Sequence, residues 1–460
     1  MRATARSRLL WALPALALAA CAQHPVAPAA PPITPPAQWQ HTGGSAAQRS
    51  DWWQGFGDAT LTALITEALV SNHDLRLAAA RVAEAHAMAR VQHAAFWPSL
   101  DVVAAEMRSR SISDVKLAPY LSTGHQALFQ AGYELDLWGR VADLASAADS
   151  SEAASAAARD AVALSVSASV AQSYIGLLEL DAQIDLARRM LASRERSLAL
   201  TRQRFEVGHA SAVELAQAQI EMHGSAQALP QLARAVERQE AQLNLLLGRR
   251  PGPVERGGRL DALRPCAMPD AGLPSELLRR RPDLYSAELQ LAASDAQLAA
   301  ARKQWLPSLR LSASFGTVGS SVLRNGPFSI WSLGGSVLAP LFNGGRLQAL
   351  AEGSAARREQ ALVTYERTVL AAWTEVETQL DAHLQQQTQL QQALDQRQSA
   401  AEALRLAGRR YREGYASQLD ELLAQRSLLT VEQSVLQSQA GLLQNEVALF
   451  RALGGGWAAR

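Results

Sequence analysis

The second half of this chain repeats the first, and any fold proposed for it must use one unit twice. Asp74-Leu75 returns as Asp283-Leu284, and Pro98-Ser99-Leu100 returns as Pro307-Ser308-Leu309, both at an offset of 209 residues. Further along, Gly139-Arg140 matches Gly345-Arg346, Phe205 and Gly208 match Tyr411 and Gly414, and Leu247-Gly248 matches Leu453-Gly454, all at an offset of 206. The change of three residues falls between the strands of the unit.

The same order of elements is predicted within each unit. Residues 58–96 and 275–306 have helical composition, rich in Ala, Leu, Glu and Arg, and each run stops before a Pro-Ser-Leu strand entry. Beyond it, Leu309, Leu311, Ala313 and Phe315 alternate with Arg310, Ser312 and Ser314. Phe129, Ala131, Tyr133, Leu135 and Leu137 likewise alternate with Gln130, Gly132, Glu134 and Asp136. This period of two marks strands with one apolar and one polar face. Partner strands are predicted at about 99–112 and 328–341, where the alternation is less clean.

Two proline-free stretches rich in Ala, Leu and Gln follow, 141–205 and 346–413. Val369, Trp373, Val376, Leu380 and Leu384 step by three or four and form one apolar stripe. Each stretch would make a helix about 100 Å long, far beyond the ordinary globular range. A break at Gly208 or Gly414 is followed by return helices at 210–248 and 416–453, the first containing Pro230, where a kink is predicted. A short helix over 66–96 plus a return helix would span about 105 Å against about 97 Å for the long one, so two shorter helices can pair along it.

The start of the chain reads as a processing signal. Arg2, Arg6 and Arg8 precede an apolar run from Leu9 to Leu18, too short for a permanent bilayer span. It ends in Leu18-Ala19-Ala20-Cys21, which looks like a bacterial lipoprotein signal with Cys21 as the lipidated first mature residue; ordinary cleavage after Ala19 is the alternative. Ala22 in place of an aspartate favours, by resemblance to enterobacterial lipoproteins, sorting to the outer membrane. Residues 25–36 then form a proline-rich extended spacer. No later run of 18 apolar residues occurs, so a transmembrane helix is not expected and a membrane would be crossed by strands.

Composition narrows the chemistry. The 460 residues carry 44 basic and 43 acidic side chains with no basic cluster interleaved with aromatics, which excludes nucleic acid as a natural partner. Two cysteines, Cys21 and Cys266, are too few for a zinc quartet or disulfide framework, and Cys266 is expected to be an unpaired thiol in a loop. No His-Glu-x-x-His pair, Gly-x-Ser-x-Gly elbow or phosphate-binding glycine loop is present, so neither enzyme chemistry nor a cofactor is expected. His86 and His93 share a helical face, but a packed or solvated pair is favoured over a metal site.

Four strands cannot close a barrel in lipid, so the chain must share one: two copies would give eight strands, three would give twelve. Three segments carry a further resemblance: Tyr133-Glu134-Leu135-Asp136-Leu137-Trp138-Gly139-Arg140, its counterpart Pro340-Leu341-Phe342-Asn343-Gly344-Gly345-Arg346, and Arg280-Arg281-Pro282-Asp283-Leu284. With the lipoprotein start and the duplication, they resemble the TolC-like outer membrane efflux protein family in its lipoprotein, NodT-like branch, over about residues 50–456.

The resemblance implies a mainly α-helical fold with a shared β-barrel. A homotrimer would form a twelve-stranded outer-membrane barrel continued by a long α-helical periplasmic tunnel. It would be a passive exit for small molecules, fed by an inner-membrane efflux pump through a periplasmic adaptor, anchored to outer-membrane lipid at Cys21. A type I protein-secretion duct would share the architecture. The expected division is a signal peptide at 1–20, lipidated terminus and spacer at 21–50, and duct repeats at 51–257 and 258–460. By the same resemblance, Val207, Gly208, Ala210, Gly414 and Ala416 in the two helix-to-helix turns would touch the adaptor. Leu419, Asp420 and Glu421 would line a periplasmic gate, although Leu423 stands where some relatives carry an aspartate. A plain hairpin turn and a solvated acidic pair are the alternatives.

Overall fold

The structure is a computed structural model that describes residues 33–41, 43–47, 49–112, 119–322 and 326–457. The proposed signal peptide and Cys21 lie outside the described residues.

Each half presents the same succession of elements. The first runs α1 (Ala59–Ser71), α2 (His73–Ala94), β1 (Ser99–Ile112), β2 (Pro119–Leu135), α3 (Arg140–Glu206) and α4 (Ala212–Leu246). The second runs α5 (Leu277–Arg280), α6 (Pro282–Lys303), β3 (Ser308–Ser320), β4 (Phe328–Leu338), α7 (Arg346–Arg412) and α8 (Gln418–Ala452). Helices α3 and α7 have 67 residues each and α4 and α8 have 35 each. Pro230 sits inside α4, which continues through it.

The helix expected without interruption over 66–96 is broken at Asn72. Its Oδ1 accepts from the N–H groups of Asp74 (2.9 Å) and Leu75 (3.1 Å), capping α2, while Nδ2 donates to the Leu246 carbonyl at the end of α4 (2.8 Å). The second half breaks at the equivalent Arg281, which donates to the carbonyl of Ala452 (2.9 Å) at the end of α8. One structural role, tying the break to the end of the return helix, is filled by an amide in one half and a guanidinium in the other. Arg281 also binds Asp283 (3.0 and 2.8 Å) and Glu375 (2.8 Å). Burial opposes ionisation of Asp283, but the Arg281 bonds overcome it and hold its carboxyl below the usual range.

The chain divides into two compact units, each drawing on both sequence halves. One contains His86–Ser151 and Leu289–Glu366 and holds a single antiparallel sheet in the order β1-β2-β3-β4. Register aligns side chains in rows across all four strands. One face carries Val102, Phe129, Phe315 and Trp331 in one row and Leu100, Ala131, Ala313 and Leu333 in the next, all apolar. The opposite face carries Asp101, Gln130, Ser314 and Ser332, with the Ser314 and Ser332 hydroxyls 2.8 Å apart. An apolar band on one face and polar rows on the other is the pattern of a strand between lipid and a wet interior. At the helix-proximal ends of the strands Trp97, Trp305, Leu341 and Phe342 are exposed, where aromatic side chains suit a membrane boundary.

The second unit contains Pro35–Ala85, Glu152–Glu288 and Arg367–Arg460. Its core gathers Phe56, Leu61 and Ile65 from the start of the first half, Tyr174, Ile175, Leu177 and Leu178 from α3, Leu243 and Leu247 from the end of α4, and Val447 and Phe450 from α8. Tyr174 donates to Asp58 (2.9 Å) and accepts from the N–H of Gly257 (2.9 Å), while Asp58 caps α1. By length and composition alone α3 is apolar enough to cross a membrane, and half of that window is buried within the molecule. Val166, Val170 and Tyr174 to Leu178 supply that apolarity, and the core uses it. The stripe on α7 holds for Val369, Trp373, Val376 and Leu380, but Leu384 is exposed and His383 is buried instead.

Candidate functional site

The two long-helix ends are built alike. At the end of α3 the N–H of Gly208 binds the Phe205 carbonyl (3.0 Å) and that of His209 binds the Arg204 carbonyl (2.7 Å). At the end of α7 Gly414 binds Tyr411 (3.1 Å) and Tyr415 binds Arg410 (2.8 Å). This paired closure needs a residue of positive φ, and Gly208 and Gly414 adopt +78° and +80°. Ser211 and Ser417 then start α4 and α8 with reciprocal caps to Glu214 and Asp420.

Val207, Gly208 and Gly414 are exposed and Ala210 and Ala416 half-buried. A Cβ added to Gly208 or Gly414 would meet nothing within 4 Å. The two long helices are joined just behind the turns, where Arg204 Nη1 donates to Tyr411 Oη (2.7 Å) and its guanidinium lies 5.4 Å from the Tyr411 ring centre. Leu419 and Asp420 are exposed and Glu421 half-buried. The carboxylate of Asp420 is engaged in the cap of its own helix.

Behind these residues lies a charged cluster that the sequence reading missed. Arg194, on α3 and 3% exposed, donates to Gln425 on α8 and lies 3.6 Å from Glu221 on α4. Glu221 also receives Arg426 from α8. Burial lowers the pKa of the Arg194 guanidinium, with Glu221 opposing. The Arg426 hydrogen bond holds the Glu221 carboxyl below its usual range. The available signal was positional: Leu186, Met190, Arg194 and Leu198 recur every four residues, which puts a charge in an apolar stripe.

The remaining candidates are placed plainly. His93 Nε2 lies 2.8 Å from Asp149 Oδ1. Among the described residues no group of three or more His, Cys, Asp or Glu side chains is arranged to hold a metal ion. Cys266 is a free, half-buried thiol in an irregular segment; its N–H donates to Glu446 Oε2 (2.9 Å) and Sγ lies 3.9 Å from the Trp52 carbonyl oxygen.

Comparison with known proteins agrees with this architecture. The chain is 34% identical to the pyoverdine export outer membrane protein OpmQ of Pseudomonas aeruginosa, over 96% of this chain and 95% of that protein. It is 34% identical to the toluene efflux pump outer membrane protein TtgC of Pseudomonas putida, over 98% and 96%. The outer-membrane channel OprN superposes with a TM-score of 0.86 at 28% identity, covering 95% of this chain and all of the other. The open-state MtrE outer membrane channel of Neisseria gonorrhoeae gives 0.81 at 30%, covering 93% and 96%. The family model for outer membrane efflux proteins matches residues 64–249 and 273–455, and the chain belongs to that family.

Proposed function

We propose that three copies of this chain form a passive outer-membrane duct of a tripartite efflux system, exporting small molecules delivered by an inner-membrane pump through a periplasmic adaptor. The observation that carries this is the open sheet of unit one. Its edges β1 and β4 have no partner within the described chain, and its apolar band suits lipid. An open edge in lipid leaves unpaired backbone groups, each unfavourable by several kcal/mol, roughly. Further copies remove both edges, and three give a twelve-stranded barrel.

The two sequence halves, 51–257 and 258–460, are read as two copies of the duct unit. The exposed turns around Gly208 and Gly414 are read as the adaptor-facing end, and Leu419, Asp420 and Glu421 as the lining of a gate. Cys21 is read as the lipid anchor, after removal of 1–20, with 21–50 as the tether. Supporting that last reading, Trp39 Nε1 donates to the Gly272 carbonyl (2.9 Å) and Gln40 N–H to Glu377 (2.7 Å), so the chain is held to the folded body just after the spacer.

The test is accumulation of a fluorescent efflux dye in cells lacking this chain, with and without the gene restored. Lower dye on restoration is expected. Unchanged dye, with the protein present in the outer membrane, would overturn efflux of such dyes and move the duct to protein secretion or a narrower cargo.

A further inference from the structure

Only one face of the four-stranded sheet can meet lipid. Over its helix-proximal part the first face is apolar in the rows Leu100-Ala131-Ala313-Leu333 and Val102-Phe129-Phe315-Trp331, and it turns polar beyond them at Ala104-Ala127-Thr317-Ser329 and Glu106-His125-Gly319, where the lipid band ends. The opposite face bears Asp101, Gln130, Glu134 and Arg310 alongside the apolar rows. Charges on the lipid face at mid-depth are unfavourable, so the second face is the interior. Within the single chain, Leu128 on this face is 7% exposed, while Ile330 and Phe328 on the same face are 39% and 43% exposed.

Following the inner face from the helix-proximal end outward, the first rows are charged or small. Glu134 stands beside Arg310 and Ser336, Gly132 beside Ser99, Ser312 and Gly334, and Gln130 beside Asp101, Ser314 and Ser332. Then the lining changes. The next row is Val103, Leu128, Gly316 and Ile330, and the one beyond it is Ala105, Gln126, Val318 and Phe328. Nothing in strand packing demands this, because an inner face filled with water is served by the Ser and Gln of the rows below. Apolar side chains at interior positions lose free energy against water unless something apolar covers them.

Resting on the duct reading above, we propose that Val103, Leu128, Val318, Phe328 and Ile330 form an apolar collar at about mid-height inside the barrel that binds apolar or amphipathic cargo in transit. The polar rows below it let cargo pass without adhesion. The collar then offers weak, repeated apolar contacts partway to the exit, shared among all copies. Its position makes it reachable from outside without opening the far end of the helices.

The experiment uses the full chain in planar lipid bilayers, with tetramethylammonium or tetrabutylammonium added from the strand-hairpin side. Wild-type current is expected to be blocked by the butyl cation at lower concentration than by the methyl cation. Val103→Ser with Ile330→Ser should raise the half-blocking concentration of the butyl cation about threefold to tenfold and leave the methyl cation unchanged. Ser332→Leu, which extends the apolar lining by one position at an exposed site, should lower it, and it serves as the readout if the double variant fails to insert. Butyl block no stronger than methyl block in the wild type, or a half-blocking concentration within about twofold of wild type in the variants that insert, would overturn the collar. A wild-type protein that forms no channel would instead overturn the duct reading itself, and the collar with it.

Discussion

Asp420 Oδ2 accepts hydrogen bonds from both the main-chain N–H (3.0 Å) and the Oγ hydroxyl (2.9 Å) of Ser417. The proposed gate acid is thus also the reciprocal cap of the helix that carries it. A ring of such carboxylates would favour cations, yet truncating one also weakens a cap that stabilises by about 1 kcal/mol. Asp420→Asn separates the two, since its amide oxygen can still accept from Ser417. Both Asp420→Asn and Asp420→Ala are expected to lower cation-over-anion selectivity, read as reversal potential under a salt gradient. Loss of selectivity in the alanine variant alone would leave Asp420 as a cap and nothing more.

The Arg194 cluster gives a second prediction. Through Gln425 and Arg426 it fastens α8 to α3 and α4. Removing the guanidinium in Arg194→Ala leaves Glu221 still paired with Arg426, so the loss of stability should be about 1–2 kcal/mol rather than that of an orphaned buried charge. Arg194→Met keeps the packed stem and removes only the polar bonds. Both variants are expected to show a lower thermal midpoint in detergent and a higher single-channel conductance, from a looser α8. Unchanged conductance with a lowered midpoint would make the cluster purely structural.

Much of this was legible in the sequence, for physical reasons that differ by element. The alternation from Leu309 to Phe315 announces a strand because its two faces meet different solvents, and β3 follows it. The 67-residue helices were visible as proline-free runs, and the turn glycines as the positions where the pattern breaks. The break at Asn72 was not visible, because no proline or glycine marks it; it is fixed by a partner carbonyl 174 positions away. Arg194 was hidden for the same kind of reason. Within the local run Ser193-Arg194-Glu195-Arg196 it looks like surface, and only packing against α4 and α8 buries it. The capping role of Asp420 is readable from its spacing to Ser417, a serine with an acid three residues on at a helix start.

The turn glycines invite bulky substitution, and their geometry says which controls are needed. Space around both is open, so a side chain there projects away from the molecule, but their positive φ disfavours most residues by about 1–2 kcal/mol. Asparagine tolerates that conformation better than other residues. Gly208→Asn and Gly414→Asn should retain most efflux, while the tryptophan replacements should abolish it at wild-type levels of outer-membrane protein. Equal efflux from both pairs would remove the turns from the adaptor contact.

The two cysteines should behave oppositely. Replacing Cys21 by serine is expected to abolish incorporation of labelled palmitate; label retained in that variant would overturn lipidation at this position. Cys266 then remains as the single thiol. Burial, with Glu446 nearby, pushes it up to about 12, so it stays protonated and should resist maleimide until the protein is unfolded. Rapid labelling in the native protein would place it at the surface.

Glu446 predicts how stability depends on pH. It lies on α8, 4% exposed, and its one described hydrogen bond is from the N–H of Cys266. Burial pushes its carboxyl from an ordinary value of 4.5 up to about 7. Between those values the folded protein holds a proton that the unfolded chain has released. Stability from this group is therefore complete below about pH 4.5 and is lost as pH rises through about 7, on the order of 3 kcal/mol per chain. Glu446→Gln keeps an oxygen to accept from Cys266 and has no proton to lose. It is expected to raise the thermal midpoint at pH 8, leave it nearly unchanged at pH 5, and flatten the slope between. A midpoint that changes by the same amount from pH 5 to pH 8 in wild type and variant would show that Glu446 is already ionised in the fold at pH 5.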